Sequence, residues 1–526
     1  MINNLIPQVN GKIHHKEGSL VFLPKNILIE NHCFEEWCTE VFTERTESFN
    51  KSDDGEILIC KFDDLKEEEY RLSITSEKIT IFTANERGVI HALTSLAEIS
   101  DEDGKVPICE IEDSPKMGYR GLSLDCVRHF WNVSEVKMII NQMSLVKMNV
   151  LHWHLTDDQG FRIEIKQFPE LTAVSGEYYT QDEIREIVSY AGKRGIEVIP
   201  EIELPGHTSG ILAAYPQLSC SGRKVTLPKG GGIFKTILCA GKEETFDFLE
   251  KILEEAAPLF TAKYFHIGGD EAPKSEWEKC PLCQKRMEEE HISKTDDLQG
   301  YFTKRIEKIL DRLGKKAICW NESLLADNIS PDTTIQYWSV QYEDSMKKFV
   351  KNKGKFVYSD MFEIYFDYPY SMTSMEKVYN LVPNINGEPC ADEPGFMGME
   401  VCLWCEHIKD SDRLFKLLFP RIFAFAEVSW SEAIDYGEFK ERVTQKLIKL
   451  QADQIPFTPI EECDPKGAKR REDTFAYMAS IGNDMDPSVK DETMSSDSAN
   501  KTFSENFTKK FFAPEDLPFL MEAMQK

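Results

Sequence analysis

Tyr264-Phe265-His266-Ile267-Gly268-Gly269-Asp270-Glu271 joins a short apolar run to two glycines and two adjacent carboxylates. Residues 264–267 read as a buried strand, and Gly268 and Gly269 let the backbone turn closely behind it. Adjacent side chains on a strand point to opposite sides, so Asp270 and Glu271 are expected to divide the work. One would hold a substrate group while the other handles a proton. Carboxyl groups in unlike environments share tasks in this way at sugar-cleaving sites. Taken alone, the tetrapeptide reads equally well as a solvated acidic turn, and its surroundings decide.

Outward from this strand, the chain alternates strand and helix from Tyr119 onward. Strands are expected at 122–127, 150–156, 197–204, 264–267, 317–320, 334–338, 356–359 and 399–404. Helical patterns at 134–147, 181–194, 245–259 and 298–313 lie between them. Eight such units over roughly 310 residues fit an α/β fold of the (β/α)₈ TIM-barrel type. A doubly wound open sheet is the alternative, but no Gly-x-Gly-x-x-Gly follows the first strand. Ahead of the barrel, Arg71-Leu-Ser-Ile-Thr and Lys78-Ile-Thr-Ile-Phe alternate as a hairpin would, and 88–99 reads as an amphipathic helix. The expected division is a small α+β domain at 1–115, the barrel at 116–460 and an extension at 461–526. Asp113-Ser114-Pro115 marks the first boundary.

The residues at the strand ends are more telling than the strands. Arg128 comes after the first, Asp157 and Asp158 after the second, Glu203 and His207 after the third, and Asp270 and Glu271 after the fourth. Trp320 and Glu322 close the fifth and Trp338 the sixth. Asp360, Tyr365 and Asp367 come after the seventh, and Trp404 and Glu406 after the eighth. In a parallel barrel these ends converge on one face, where active sites are built. Singly, each tryptophan reads as core. Three at equivalent strand ends suit the apolar faces of a pyranose ring, with Arg and carboxylates reading its hydroxyl edge.

Four longer stretches carry a family resemblance. They are Gly121-Leu-Ser-Leu-Asp-Cys-Val-Arg128-His-Phe, Asn149-Val-Leu-His-Trp-His-Leu-Thr-Asp157-Asp-Gln-Gly, Pro200-Glu-Ile-Glu-Leu-Pro-Gly-His207 and His266 to Glu271. With these, residues 1 to about 450 resemble glycoside hydrolase family 20, the β-N-acetylhexosaminidases. The resemblance implies a retaining exo-enzyme acting on terminal β-linked GlcNAc or GalNAc through an oxazolinium intermediate, with no cofactor. It makes Glu271 the general acid and Asp270 the residue that orients the substrate's 2-acetamido group. Tyr365 would bond the acetamido oxygen, and Trp320, Trp338 and Trp404 would enclose the methyl and the ring. Arg128, Asp367 and Glu406 would read the hydroxyls, and His207 with Asp157 would tune Glu271 from behind. No tryptophan lies between Trp338 and Trp404, where many relatives place another platform, so a preference on the aglycone side does not carry over.

Composition bounds the remaining possibilities. The net charge of −28 argues against a nucleic-acid backbone or an anionic membrane as partner. No basic segment followed by an apolar core opens the chain, and the apolar stretch 414–430 is interrupted by Lys416, Pro420 and Arg421. With fourteen cysteines, these features lead us to expect a cytoplasmic protein with reduced thiols. Sequons at Asn132, Asn321, Asn328, Asn500 and Asn506 are read as chance matches.

Cys280-Pro-Leu-Cys283 has metal-ligand spacing, and with Cys220 and Cys239 it could build a structural zinc site. Cys220 and Cys239 do not form a second close pair, so the four are read first as free thiols and last as a redox centre. Gly230-Gly-Gly232 reads as a flexible loop rather than a phosphate cradle, and His152 and His154 as satisfied barrel residues. Residues from about 465 to 509 look loosely packed, and 511–524 a short helix that docks on the barrel or on a second subunit of a homodimer. A non-catalytic sugar-binding protein, a disaccharide-releasing relative and an unrelated metal-dependent barrel hydrolase are the competing classes.

Overall fold

The computed structural model describes residues 105–432 and 435–484 continuously. It also describes 4–22, 26–30, 33–34, 39, 50–51, 57–101, 486, 510–512 and 516. Eight parallel strands close into a barrel: Tyr119–Asp125, Val150–His154, Glu197–Glu201, Tyr264–His266, Lys316–Trp320, Thr334–Tyr337, Phe356–Tyr358 and Phe396–Leu403. Each pairs with the next in sequence, and the eighth returns to the first through six register pairs from Gly398↔Tyr119 to Leu403↔Leu124. The first two strands are buried at every position, as strands covered on both faces must be.

Local chemistry starts the surrounding helices. Asn132 and Glu135 form a capping box that opens Val133–Leu145, and Thr180 and Glu183 form one that opens Gln181–Gly192. Asn132, in one of the sequons, is therefore engaged as a cap. Asn321 is fully buried, with its carboxamide bonded to the backbone of Trp338 and Ser339. Between the fifth and sixth strands only a 3₁₀ segment, Asn321–Leu325, takes the place of the expected helix. The apolar stretch at 414–430 is split into two helices, Ser411–Leu418 and Arg421–Trp430. No helix among the described residues is long and apolar enough to cross a membrane.

The barrel axis is polar where TIM barrels usually pack Val, Ile and Leu. Glu201 sits at its centre, 3.1 Å from His152 Nε2 and 2.7 Å from His266 Nδ1, and also bonded to His154. Trp320 Nε1 donates to the same carboxylate at 2.9 Å. Glu400 accepts from Tyr119 Oη at 2.5 Å and Gln336 Nε2 at 2.6 Å, and lies 2.8 Å from His152 Nδ1. Burial opposes charge on the two histidines, yet the flanking carboxylates raise His152 to about 10 and His154 to about 9. His152 and His154 are thus interior residues set between buried carboxylates.

The amino-terminal domain is a seven-stranded mixed sheet covered by the helix Glu86–Ile99, and it contains the expected antiparallel pair Tyr70–Ile74 with Ile79–Thr83. It meets the barrel through buried charge. Lys147 Nζ lies 2.9 Å from Asp113, Arg120 lies 2.8 Å from Glu68, and Trp430 Nε1 donates to Asp113 at 2.9 Å. Trp430 belongs to the small domain's apolar cluster although it ends a barrel helix. The two units are therefore fixed against each other.

The expectation of loose packing at 465–509 fails over its first part, where Gly467–Asp484 is a helix; residues 485 and 487–509 lie outside the described residues. Charged residues hide the helix's apolar face in the sequence, but Tyr477 is buried, edge-on to Tyr368 at 5.9 Å and to His407 at 6.0 Å. Thr474 Oγ1 also bonds Ser371 Oγ at 2.9 Å. The expected helix at 511–524 lies outside the described residues except for Phe511, Phe512 and Asp516.

Candidate active site

Ten of the eleven residues to which the resemblance gives roles line one cavity, with about 500 Å³ of empty space, at the carboxyl ends of the strands. They are Arg128, Asp157, His207, Asp270, Glu271, Trp320, Trp338, Tyr365, Trp404 and Glu406. Asp367, the eleventh, does not line it but interacts electrostatically with Glu406, and burial followed by that repulsion holds its carboxyl well above the usual range. Glu203 lines the cavity as well.

Asp270 and Glu271 do not divide by strand alternation. The fourth strand ends at His266, and Gly268 and Gly269 carry the chain into a loop with φ of 63° and 101°. Glu271 itself has φ 45°, a left-handed conformation rare for a residue with a side chain. Both carboxylates consequently face one histidine: His207 Nε2 lies 3.7 Å from Asp270 and 3.4 Å from Glu271. Their environments differ all the same. The Asp270 side chain is 14% exposed, and Glu271, at 32%, faces the mouth of the cavity. Burial raises the Asp270 carboxyl above the ordinary range; His207 opposes that shift and Glu271 adds to it.

Behind them runs a hydrogen-bonded chain. His207 Nδ1 lies 3.1 Å from Asp158 and 3.3 Å from Asp157. Asp157 contacts Arg128 Nη2 at 2.8 Å and His154 Nε2 at 2.9 Å, which links it to Glu201 on the axis. Burial works against charge on both Asp157 and His207. Arg128 and His207 nevertheless hold Asp157 low, while Asp157, Asp158 and Glu271 hold His207 high. His207 is an imidazolium placed between two buried carboxylates and the candidate acid.

At the closed end, Arg128 stacks 5.2 Å from the Trp404 ring and reaches within 3.8 Å of Glu406. Trp320 and Trp404 lie 5.9 Å apart at 50°, and Tyr365 lies 6.3 Å from Trp404, forming an angled aromatic enclosure. Buried Arg421 binds the carbonyls of Phe366, Tyr368 and Thr373, fixing the loop that carries Tyr365 and Asp367.

Comparison with known proteins agrees with this geometry. The profile described as "Glycosyl hydrolase family 20, catalytic domain" matches residues 117–433, and that of "Glycosyl hydrolase family 20, domain 2" matches residues 33–114. The chain belongs to glycosyl hydrolase family 20. A Porphyromonas gingivalis protein named beta-hexosaminidase is 34% identical over 76% of this chain, which spans 56% of that protein's length. The crystal structure of a Bacteroides fragilis beta-N-acetylhexosaminidase is 30% identical with a TM-score of 0.80, covering 88% of this chain and 99% of its own. A Vibrio harveyi exo beta-N-acetylglucosaminidase solved with N-acetylglucosamine is 29% identical with a TM-score of 0.78, covering 88% and 79%.

This family 20 cavity contains groups that reading by strand ends left without a role. Glu203 forces the glycine at 268, because a Cβ there would stand 1.7 Å from its Oε2. Burial, then repulsion from Asp270 and Glu201, pushes the Glu203 carboxyl well up, so it can donate a hydrogen bond. Glu322 accepts the Glu271 backbone N–H at 2.8 Å. The Gly230–Gly232 loop, expected to be flexible, lies against Glu406. Gln159 Nε2 binds Gly230 O at 2.9 Å, and a Cβ on Gly231 would stand 3.1 Å from Glu406 Cγ. No local motif marks these contacts; only the strand-end positions of Glu203 and Glu322 hinted at them. The four cysteines 220, 239, 280 and 283 also converge, outside this cavity.

Proposed function

We propose that the chain is a retaining exo-β-N-acetylhexosaminidase that removes terminal β-linked GlcNAc or GalNAc from oligosaccharides or glycoconjugates. One observation carries the reading. Asp270 and Glu271 face a single cavity walled by Trp320, Trp338, Trp404 and Tyr365, and several buried polar atoms there have no hydrogen-bond partner among the described residues. Those atoms are Arg128 Nε, Glu203 Oε2, Asp270 Oδ1 and Trp338 Nε1, and Asp367 Oδ1 beside the cavity is unpaired in the same way. Buried polar groups are rarely left unpaired, and a hydroxyl-rich ring with an acetamido arm supplies partners for donors and acceptors alike.

Glu271 protonates the glycosidic oxygen as the C1–O bond breaks, and the substrate's acetamido oxygen closes on C1 from the opposite face. Asp270 accepts the acetamido N–H and stabilises the positive charge of the oxazolinium. Tyr365, whose hydroxyl burial keeps protonated, donates to the acetamido oxygen. Glu271 then takes a proton from the water that opens the ring, and configuration at C1 is retained. His207 and Asp157 hold Glu271 in place, while Arg128, Asp367 and Glu406 bind the non-reducing-end hydroxyls and confine the site to one sugar. We place the domain boundaries at 115 and 460; the first is supported by the small domain's sheet ending at Asp113 and the barrel beginning at Tyr119. Fourteen cysteines favour a reducing compartment, the cytoplasm.

Hydrolysis of aryl β-glycosides of N-acetylglucosamine and of glucose, with and without a thiazoline analogue of the oxazoline, tests the proposal. Cleavage of the acetamido sugar alone, blocked by the thiazoline, is expected. Turnover of both, insensitive to the thiazoline, would replace this mechanism with two-carboxylate catalysis.

A further inference from the structure

The four cysteines sit on two loops that also carry the candidate chemistry. Cys220 and Cys239 follow His207 after the third strand, and Cys280 and Cys283 follow Glu271 after the fourth. Their sulfurs all lie within 4.8 Å of one another. The measured pairs are 3.6 Å for Cys239–Cys283, 3.7 Å for Cys220–Cys283 and 3.8 Å for Cys239–Cys280. A tetrahedron with metal–sulfur bonds of about 2.3 Å has edges of about 3.8 Å. Cys220 and Cys239 are far apart in sequence, and folding brings both to the Cys280-Pro-Leu-Cys283 turn.

The surroundings are shaped for this cluster. Cys280 immediately precedes the helix Pro281–Glu289 and Cys283 lies in its first turn, so both are set by one helix start. Gly241 lets the first loop approach: a Cβ there would stand 2.2 Å from the Leu282 carbonyl carbon and 2.5 Å from Cys283 N. Three of the four cysteines are buried, and Cys220 lies at the rim. Next to Cys239, the Leu238 N–H bonds Pro205 O at 3.1 Å, and its carbonyl takes Trp277 Nε1 at 2.9 Å. The cluster is therefore joined to backbone two residues from His207.

We propose that Cys220, Cys239, Cys280 and Cys283 bind one structural zinc ion that locks the His207 loop to the Glu271 loop. Loading forms four Zn–S bonds and releases the thiol protons to solvent, leaving a centre with a net double negative charge. The zinc takes no part in the chemistry; it holds the two loops in register. Because it rests on the thiol cluster, it is independent of the substrate assigned above.

Metal analysis of the full chain, expressed with zinc and purified without chelator, is expected to give one zinc per chain. An organomercurial should release it stoichiometrically to a colorimetric chelator. Cys280→Ser/Cys283→Ser should lose the metal, whereas Cys33→Ser should keep it. If the double variant does not fold, wild type grown with cobalt should show the intense visible bands of a tetrahedral thiolate site. Hydrogen exchange should quicken at 205–242 and 270–283 once metal is removed. Folded wild type carrying no zinc above the double-variant background, or a disulfide among the four by mass spectrometry, would overturn the proposal.

Discussion

His207 Nε2 stands 3.4 Å from Glu271 Oε2, while Nδ1 of the same ring is 3.1 Å from Asp158 and 3.3 Å from Asp157. An imidazolium in that position also lies 3.7 Å from Asp270 and keeps that carboxyl lower than burial alone would leave it. A carboxyl whose folded pKa is raised loses its charge as pH falls through that raised value, and with it the grip on the acetamido N–H. His207→Gln should therefore move the acid limb of kcat/KM to higher pH, and Asp270→Asn should abolish that limb. A limb that stays in place in His207→Gln would show that another group sets it.

Glu271→Gln keeps the shape and removes the proton. Loss should be about 10²–10⁴-fold for substrates with poor leaving groups, the usual scale of general acid catalysis. Aryl glycosides with strongly acidic phenols should suffer much less. Equal loss on both substrate types would remove Glu271 from the acid role.

Asp270→Asn should act differently. The orienting partner of the nucleophile is lost whatever the leaving group, so both substrate types should fall by about 10²–10³-fold, as when one positioned polar group is removed from a transition state. Thiazoline affinity should weaken in parallel. Inhibition constants unchanged from wild type would mean that Asp270 does not hold the acetamido arm.

Much of this was legible in the sequence because a parallel barrel converts linear order into a ring. Residues just beyond each strand, from Arg128 to Glu406, must meet at one face. The features that could not be read depend on contacts between loops far apart in the chain. The shared facing of Asp270 and Glu271 arises from two left-handed glycines, not from strand alternation. The pairing of Glu203 with Gly268, the cysteine cluster and the docking of Tyr477 on Tyr368 arise from packing alone. The helix Gly467–Asp484 was hidden because its exposed faces, with pairs such as Lys469–Asp473 at 2.7 Å, swamp its apolar periodicity.

The polar axis makes stability depend on alkaline pH. His152 titrates near its ordinary value of about 6.5 when unfolded, but at about 10 when folded between Glu400 and Glu201. Its folded pKa is raised, so its contribution is fully present below about pH 6.5 and is lost as pH rises through about 10. The melting temperature should fall across that window, and His152→Gln should be less stable at pH 6 with a shallower decline toward pH 10. Parallel declines in both proteins would assign the alkaline loss elsewhere.

Gly268 and Gly314 both have positive φ, 63° and 75°, but only the first faces a side chain of the cavity. A Cβ at 268 would stand 1.7 Å from Glu203 Oε2, whereas nothing lies within 4 Å of one at 314. Each alanine adds the backbone strain of a left-handed residue, about 1–2 kcal/mol. Gly268→Ala must also displace Glu203 and, through the same turn, Asp270 and Glu271. Gly314→Ala should lower the melting temperature and leave kcat/KM unchanged. Gly268→Ala should lower both, with kcat/KM falling by at least about 100-fold, since misplacement of reacting groups by an ångström costs that much. Equal activity in the two variants would mean that the Gly268 turn does not set the position of the acid pair.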